Sequence, residues 1–244
     1  MGELPRRQVR ELQTRIVNSL YPIAARYNAL LPTCFMQYKK NSNSRQLEET
    51  LKLKDVRPPS HKDPTVLRVV TDHPIPLCCS LYYYEVNVCA KSQCGTLKIG
   101  FTIDEQPTKH RNCVTFIGYN SNTGRISLYN RSNTSSDDED SLCGPTFGEG
   151  DVIGCGLNFV SNSVFFTRNG IIVCSSSVRQ KLAQSLTAPC VMLVSPTTAL
   201  IGNFGQRDFA FAIDQHLAQE RCNAVSQAIE SKLTADLASV NMQR

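Results

Sequence analysis

One segment constrains this chain more than any other. Cys143-Gly144-Pro145-Thr146-Phe147-Gly148-Glu149-Gly150-Asp151-Val152-Ile153-Gly154-Cys155-Gly156 runs on into Val164-Phe165-Phe166-Thr167-Arg168-Asn169-Gly170. Gly150-Asp151 marks a turn. Ile153, Cys155, Leu157 and Phe159 then alternate with smaller or polar residues, the period-two pattern of a half-buried strand. Ser161-Asn162 interrupts the run, and Val164 to Thr167 resumes it. Asn169-Gly170 suits a tight hairpin turn, because both central positions of a type I′ turn need positive φ. A chain built from such hairpins is directed toward an antiparallel sandwich, an architecture that carries its function on loops.

The rest of the chain agrees. Tyr82, Tyr84, Val86 and Val88 share one face of a long strand rich in aromatic and β-branched residues. Leu97, Ile99 and Phe101 repeat the pattern. Phe116–Tyr119 and Arg125–Tyr129 flank an Asn-Ser-Asn-Thr-Gly turn. Further strands are predicted at Leu51–Leu53, Val66–Val70, Ile171–Cys174, Val191–Val194 and Leu200–Phe204. Leu51 and Leu53 alternate with Lys52 and Lys54, an edge strand whose lysines discourage edge-to-edge pairing. About ten short strands between turn signals predict an all-β sandwich over residues 47–213. Residues 39–46 and 104–113 read as loops.

Helices are expected at both ends. Val9, Leu12, Ile16 and Leu20 fall on one face of a basic helix within an N-terminal arm, residues 1–46, and Tyr21-Pro22 stops it. Asp214 is the expected N-cap of a C-terminal helix over 214–244, with Leu217, Cys222, Val225, Ile229, Leu233, Leu237 and Val240 as its apolar positions. That helix is expected to pack on the sandwich and project beyond it, where it could pair with another helix into an oligomer.

Charge narrows the partners. Residues 1–62 hold 12 Lys and Arg against 5 Asp and Glu, a surplus of seven; residues 63–244 hold 14 against 16, a deficit of two, together the net +5. The sandwich is thus near neutral and lacks the basic, aromatic-interleaved stripe of a nucleic-acid reader. No apolar run approaches the roughly 20 residues of a membrane helix. The first 30 residues lack the apolar segment of a secretion signal, so an intracellular, cytoplasmic or nuclear location is expected. The 11 cysteines form no Cys-x-x-Cys pair. Cys89, Cys155 and Cys190 lie in apolar strand patterns, where free thiols act as small hydrophobes. No metal and no cofactor is expected.

Ser132 to Asp140 turns from polar to acidic and reads as an exposed loop over 132–141. Ser135 and Ser136, just upstream of Asp137-Asp138-Glu139-Asp140, are candidate phosphorylation sites. The glycine-punctuated pattern of a calcium-binding EF-hand is absent there. No catalytic residue is expected: there is no Gly-x-Ser-x-Gly, no phosphate loop and no His-Glu-x-x-His. Cys113 near His110 is the only local nucleophile-base pair, and a weak one.

Five motifs in order carry a resemblance: Asp72-His73-Pro74-Ile75-Pro76; Tyr82-Tyr83-Tyr84-Glu85-Val86; Gly144-Pro145-Thr146-Phe147 with Gly150-Asp151-Val152-Ile153-Gly154-Cys155; Phe165-Phe166-Thr167-Arg168-Asn169-Gly170; and Asn203-Phe204-Gly205-Gln206. Together they resemble the SPRY domain, and more narrowly that of the Ran-binding protein M family, scaffold subunits of the GID/CTLH ubiquitin ligase. The likeness runs from about Tyr21 to about Leu233. It implies a concanavalin-like sandwich of two antiparallel sheets without catalysis, recruiting proteins, among them a ligase substrate receptor, through loops at one end.

The chain departs from that pattern at Thr108-Lys109-His110-Arg111-Asn112-Cys113, where the family usually carries Pro-Gly-Trp, and the chain has no tryptophan. The usual Gly-Tyr-His-Gly-Asp-Asp-Gly becomes Gly118-Tyr119-Asn120-Ser121-Asn122-Thr123-Gly124. The LisH and CTLH helical modules that follow in the family do not occur within these 244 residues.

The candidate partner-binding residues are Arg111, Tyr119, Asn120, Asn122, Arg125 and Arg168, because Tyr and Arg most often carry interface energy. Each has a structural reading beside the functional one: Tyr119 as core, Arg125 as a solvated strand residue, Arg168 as part of a turn. The expected function is a non-catalytic adaptor that holds partner peptides, in a ubiquitin-ligase or signalling scaffold. A structural subunit assembling through its terminal helices is the alternative, and a carbohydrate-binding sandwich a weaker one.

Overall fold

The computed structural model describes residues 32–37, 46–47, 50–53, 67–76, 81–91, 95–103, 114–130, 135–137, 144–193 and 198–242. The chain divides into two units. Residues 23–211 carry the β-structure, and residues 1–22 with 212–244 form the other. The predicted N-terminal helix and Arg111 lie outside the described residues.

The β-unit is a two-sheet antiparallel sandwich. Its strands are β1 (Phe35–Gln37), β2 (Gln46–Leu47), β3 (Thr50–Leu53), β4 (Leu67–Thr71), β5 (Leu81–Lys91), β6 (Leu97–Ile103), β7 (Val114–Asn120), β8 (Ile126–Asn130), β9 (Ser135–Asp137), β10 (Val152–Asn158), β11 (Ser163–Arg168), β12 (Ile171–Ser177), β13 (Leu186–Leu193) and β14 (Thr198–Asn203). One sheet runs β2-β1-β4-β13-β6-β7-β8-β9, the other β12-β11-β10-β5-β14-β3. Period two explains the core. Tyr82, Tyr84, Val86 and Val88 of β5 face Ile153, Cys155 and Leu157 of β10 and Ile99 and Phe101 of β6 in one buried cluster. Each such side chain contributes roughly 1.5–3 kcal/mol. Tyr84 carries a polar atom into that core and satisfies it by donating to the Gly100 carbonyl at 2.5 Å.

Every strand predicted from periodicity is present, and Leu51–Leu53 lies at a sheet edge as expected. The Asn169-Gly170 turn has φ of 51° and 79°, the signs the turn type requires. Four elements were not foreseen. β1, β2 and β9 are too short for a period to register. Ser135–Asp137, inside the segment expected to be loop, pairs along β8 as edge strand β9. A short helix, α1 (Gln180–Ser185), precedes β13.

β13 starts at Leu186, five residues before the strand predicted at Val191–Val194. Residues 186–189 pair only with β6, and β4 joins from Cys190 onward. Pro189 therefore sits where β13 has one neighbour, which is where a residue without an N–H is tolerated.

Cys34, Cys155, Cys174 and Cys190 are buried free thiols, but Cys89 is exposed, against the expectation that it would serve the core. It points away from the apolar face that Val86 and Val88 define.

The outer face of the six-stranded sheet carries a second aromatic group. Tyr83 stacks on Phe165 with centroids 6.0 Å apart and meets Phe209 edge-on at 5.0 Å. Buried Glu85 accepts hydrogen bonds from the Tyr83 hydroxyl and from the Ala210 and Phe211 N–H groups, each at 3.0 Å. It thereby fastens the strand of chain that leaves β14.

In the other unit, α2 (Ile213–Met242) is a 30-residue helix. Asp214 lies in its first turn rather than at the N-cap. Its carboxylate still suits the positive end of the helix dipole. Among the described residues no helix is long and apolar enough to cross a membrane.

Candidate loop-built binding surface

Strand register brings one set of loops to one end of the sandwich. β5 ends at Lys91 and β6 begins at Leu97, which pairs through Lys98 with Asn120 at the end of β7. The β7–β8 turn, residues 121–125, therefore lies beside the β5–β6 connection. The segment 144–151 crosses to the start of β10 at the same end, next to the turn after Arg168.

Main-chain bonds join these pieces. Ser121 N–H donates to Leu97 O (2.8 Å), Phe147 N–H to Ser121 O (3.1 Å), Gly144 N–H to Gly124 O (2.7 Å) and Gly150 N–H to Val88 O (2.8 Å). Gly124 has φ of 66°, and a Cβ there would strike the Gly144 carbonyl. Glycine is thus needed both for the turn and for the close approach of segment 144–151.

Tyr119 is fully buried. Its ring stacks between Phe147 (5.1 Å) and Phe166 (5.6 Å), and its hydroxyl donates to the Pro145 carbonyl. Burial pushes its phenol well above the ordinary value, so it stays a neutral donor. Asn120 is also buried: Nδ2 donates to Ser127 Oγ at 3.3 Å, and Oδ1 accepts the Asn122 N–H at 3.0 Å. Both side chains are thus enclosed by the protein itself. They support the surface from beneath.

Asn122 is exposed. Its Oδ1 accepts from Lys91 Nζ (3.0 Å) and Ser121 Oγ (2.9 Å), and its Nδ2 donates to Thr96 Oγ1 (3.0 Å). This amide ties the β7–β8 turn to the end of β5 and to Thr96, just before β6. Partial desolvation lowers the Lys91 ammonium from its usual value. Arg125 is half-buried at the end of the turn.

Arg168 is half-buried and ion-paired, Nε to Asp151 Oδ1 at 3.0 Å. Asp151 also accepts from Gly148 N–H (2.9 Å) and Asn169 Nδ2 (2.9 Å). Burial opposes its charge, yet these hydrogen bonds and the Arg168 guanidinium hold its carboxyl below the ordinary value.

Five of the six candidate residues thus gather at one end, and the sixth, Arg111, lies outside the described residues. Ser135 and Ser136 lie on edge strand β9. Lys91, Ser121 and Asp151 were missed. Gly150-Asp151 read only as a turn signal, and nothing local marks Lys91 as the neighbour of a residue 31 positions away. The resemblance motifs at the other end of the sandwich have structural roles. The Asp72 carboxylate accepts from the N–H groups of Thr33 (2.8 Å), Cys34 (3.3 Å) and His73 (3.0 Å). Asn203 Oδ1 accepts from Gly205 N–H at 3.1 Å. Among the described residues no three of His, Cys, Asp and Glu come together as a metal would require.

A two-sheet antiparallel sandwich with clasped loops at one end defines the class: an all-β sandwich domain. The chain belongs to the SPRY domain family, whose model matches residues 81–207, from the start of β5 to just past β14. Among relatives, it is 32% identical over 174 residues to Ran-binding protein 10 of Danio rerio, covering 66% of this chain and 25% of that protein. It is 29% identical over 236 residues to Ran-binding protein 9 of Mus musculus, covering 90% of this chain and 32% of that protein. The chain therefore spans about a quarter to a third of those relatives. A crystal structure of the SPRY domain of human HERC1 is 16% identical, with a TM-score of 0.44, covering 66% of this chain and 97% of that one. SPRY domains mediate protein–protein interaction, and the family indicated is not a catalytic one.

Proposed function

We propose that this chain is an adaptor whose β5–β6, β7–β8 and 144–151 loops hold a short segment of another protein. One observation carries the reading. Buried Tyr119, Asn120, Ser121 and Phe147 fix the loops from inside, while Asn122, Thr123, Pro145, Thr146 and Glu149 remain exposed. Loops set in advance lose little entropy on binding, so they suit recognition. Lys91 and Arg125 add positive charge at the rim, which favours a segment with acidic or carbonyl-rich character. Arg111 is proposed as a further contact. The likeness to Ran-binding proteins 9 and 10 supports membership of a scaffold, with a GID/CTLH-like ubiquitin ligase as the assembly to test and cytoplasm or nucleus as the compartment.

The test is affinity purification with mass spectrometry of the intact chain, compared with Arg111→Glu, Asn122→Ala and Arg125→Glu. The adaptor reading expects the same partners to be lost from all three with unchanged thermal stability. The helix α2 carries Ile229 at 43% exposure, which favours a second reading, a structural subunit assembling through that helix. In that case the loop variants keep their partners and only removal of residues 214–244 loses them.

A further inference from the structure

The described part of the sandwich has four sheet edges, and three are guarded. β2 is two residues long and β9 three. β3 has four residues and includes a lysine, Lys52. The fourth, β12, reads Ile171-Ile172-Val173-Cys174-Ser175-Ser176-Ser177, seven residues with no charge and no proline. It closes the six-stranded sheet, with β11 on one side and no other described strand on the other. Ile171 is 69% exposed and Ile172 42%. A long, uncharged, apolar edge is a template for pairing, and soluble chains usually suppress it. Its bulge, at Val173, leaves Cys174–Ser177 in unbroken register with Val164 and its neighbours.

A second copy of this chain fits the edge poorly. Antiparallel self-pairing about Cys174 sets Ile171 opposite Ser177 and Ile172 opposite Ser176, so the isoleucines gain no apolar partner. Parallel self-pairing aligns isoleucines but sets each cation against itself. Like charges placed opposite each other oppose pairing.

We infer that β12 accepts an extended segment of a different protein by strand addition. That segment runs antiparallel, as every neighbour in the sheet does. Its N-terminal end is acidic and meets Arg179 and Lys181, and its C-terminal end is β-branched and covers Ile171 and Ile172. The edge begins beside the Arg168–Gly170 turn but does not need the loop surface to be occupied.

The experiment uses the full chain and a fluorescein-labelled peptide, Asp-Asp-Thr-Val-Thr-Val-Ile-Val, with the reversed sequence as control. Fluorescence anisotropy is expected to give saturable binding of the first peptide and weaker binding of the second. Both Ile171→Lys with Ile172→Lys and Arg179→Glu with Lys181→Glu are expected to weaken it roughly tenfold or more. Hydrogen exchange of the unsubstituted chain provides a readout independent of any variant's folding, and added peptide should slow amides within 171–177. Absence of saturable binding, equal affinity for the reversed peptide, or protection confined to 120–125 and 144–151 would overturn the inference. So would a chain that sediments as a dimer dissolved by Ile172→Lys.

Discussion

Two buried carboxylates, Asp151 and Glu85, fasten two parts of the same sheet by different means. Asp151 stands at the loop end, where it pairs with the Arg168 guanidinium and accepts bonds from Gly148 and Asn169. Glu85 stands on the sheet's outer face and accepts only neutral donors, the Tyr83 hydroxyl and the Ala210 and Phe211 N–H groups. The loop end is held by charge and polar clasps above the stacked rings of Phe147, Tyr119 and Phe166. The outer face is held by aromatic packing of Tyr83, Phe165, Phe209 and Phe211 around one carboxylate. The difference teaches which part can vary. Loops tied through polar tips can change their exposed residues while the buried supports keep the shape. The outer face has no such division, since the same rings supply both packing and shape.

The largest expected effect separates the two regions directly. Phe147→Ala removes the ring that stacks on Tyr119 and should cost about 3–4 kcal/mol in chemical denaturation. Amide exchange should then quicken across residues 144–150 and stay unchanged at 210–211. Equal loosening at both places would mean that the two regions are not independent.

Glu85→Ala is the converse change. It leaves the buried Phe211 N–H and the partly buried Ala210 N–H without an acceptor, and a loss of about 1–3 kcal/mol is expected. Exchange should quicken at Ala210 and Phe211 while the loop end keeps its protection.

Asp151→Asn tests the charged clasp, with an expected loss of about 1–2 kcal/mol at neutral pH. The sign with pH follows from its lowered folded-state value. The contribution is fully present above the ordinary value of 3.8 and is lost as pH falls through the lower folded one. The stability gap between the native chain and Asp151→Asn should therefore be constant near neutrality and close below about pH 4. A gap that persists at acid pH would show that Asp151 acts by geometry and not by charge.

The smallest effect on stability is expected from Asn122→Ala. The exposed clasp to Lys91 and Thr96 should contribute no more than about 0.5 kcal/mol. Its loss should loosen the tip of the β7–β8 turn from Lys91 and Thr96 while the Ser121–Leu97 bonds remain, which NMR relaxation of residues 121–125 would detect.

Local pattern foretold the strands because a strand with one buried face must alternate, and Tyr82 to Val88 and Ile153 to Leu157 do so in plain view. The Asn169-Gly170 turn was legible for the same reason, since its backbone demands those residues wherever it occurs. Other features depend on residues distant in the chain. Tyr119 could be read equally as contact or core from its neighbours, and only Phe147 and Phe166 packed on both sides decide that it is core. Nothing local shows that Pro189 can lie within β13; that depends on β4 pairing only from Cys190 onward. Lys91 and Asn122 meet because β5 of one sheet and the paired β6 and β7 of the other place their connections at the same end.

The amino-acid order by itself determined the sandwich, its core faces and its hairpins, because burial on one side of a pleated strand imposes a period of two. Tertiary structure alone decided which side chains support the loop surface from beneath and which are exposed on it. It also decided that β12 ends a sheet among the described strands, because an edge is defined by what does not pair beside it.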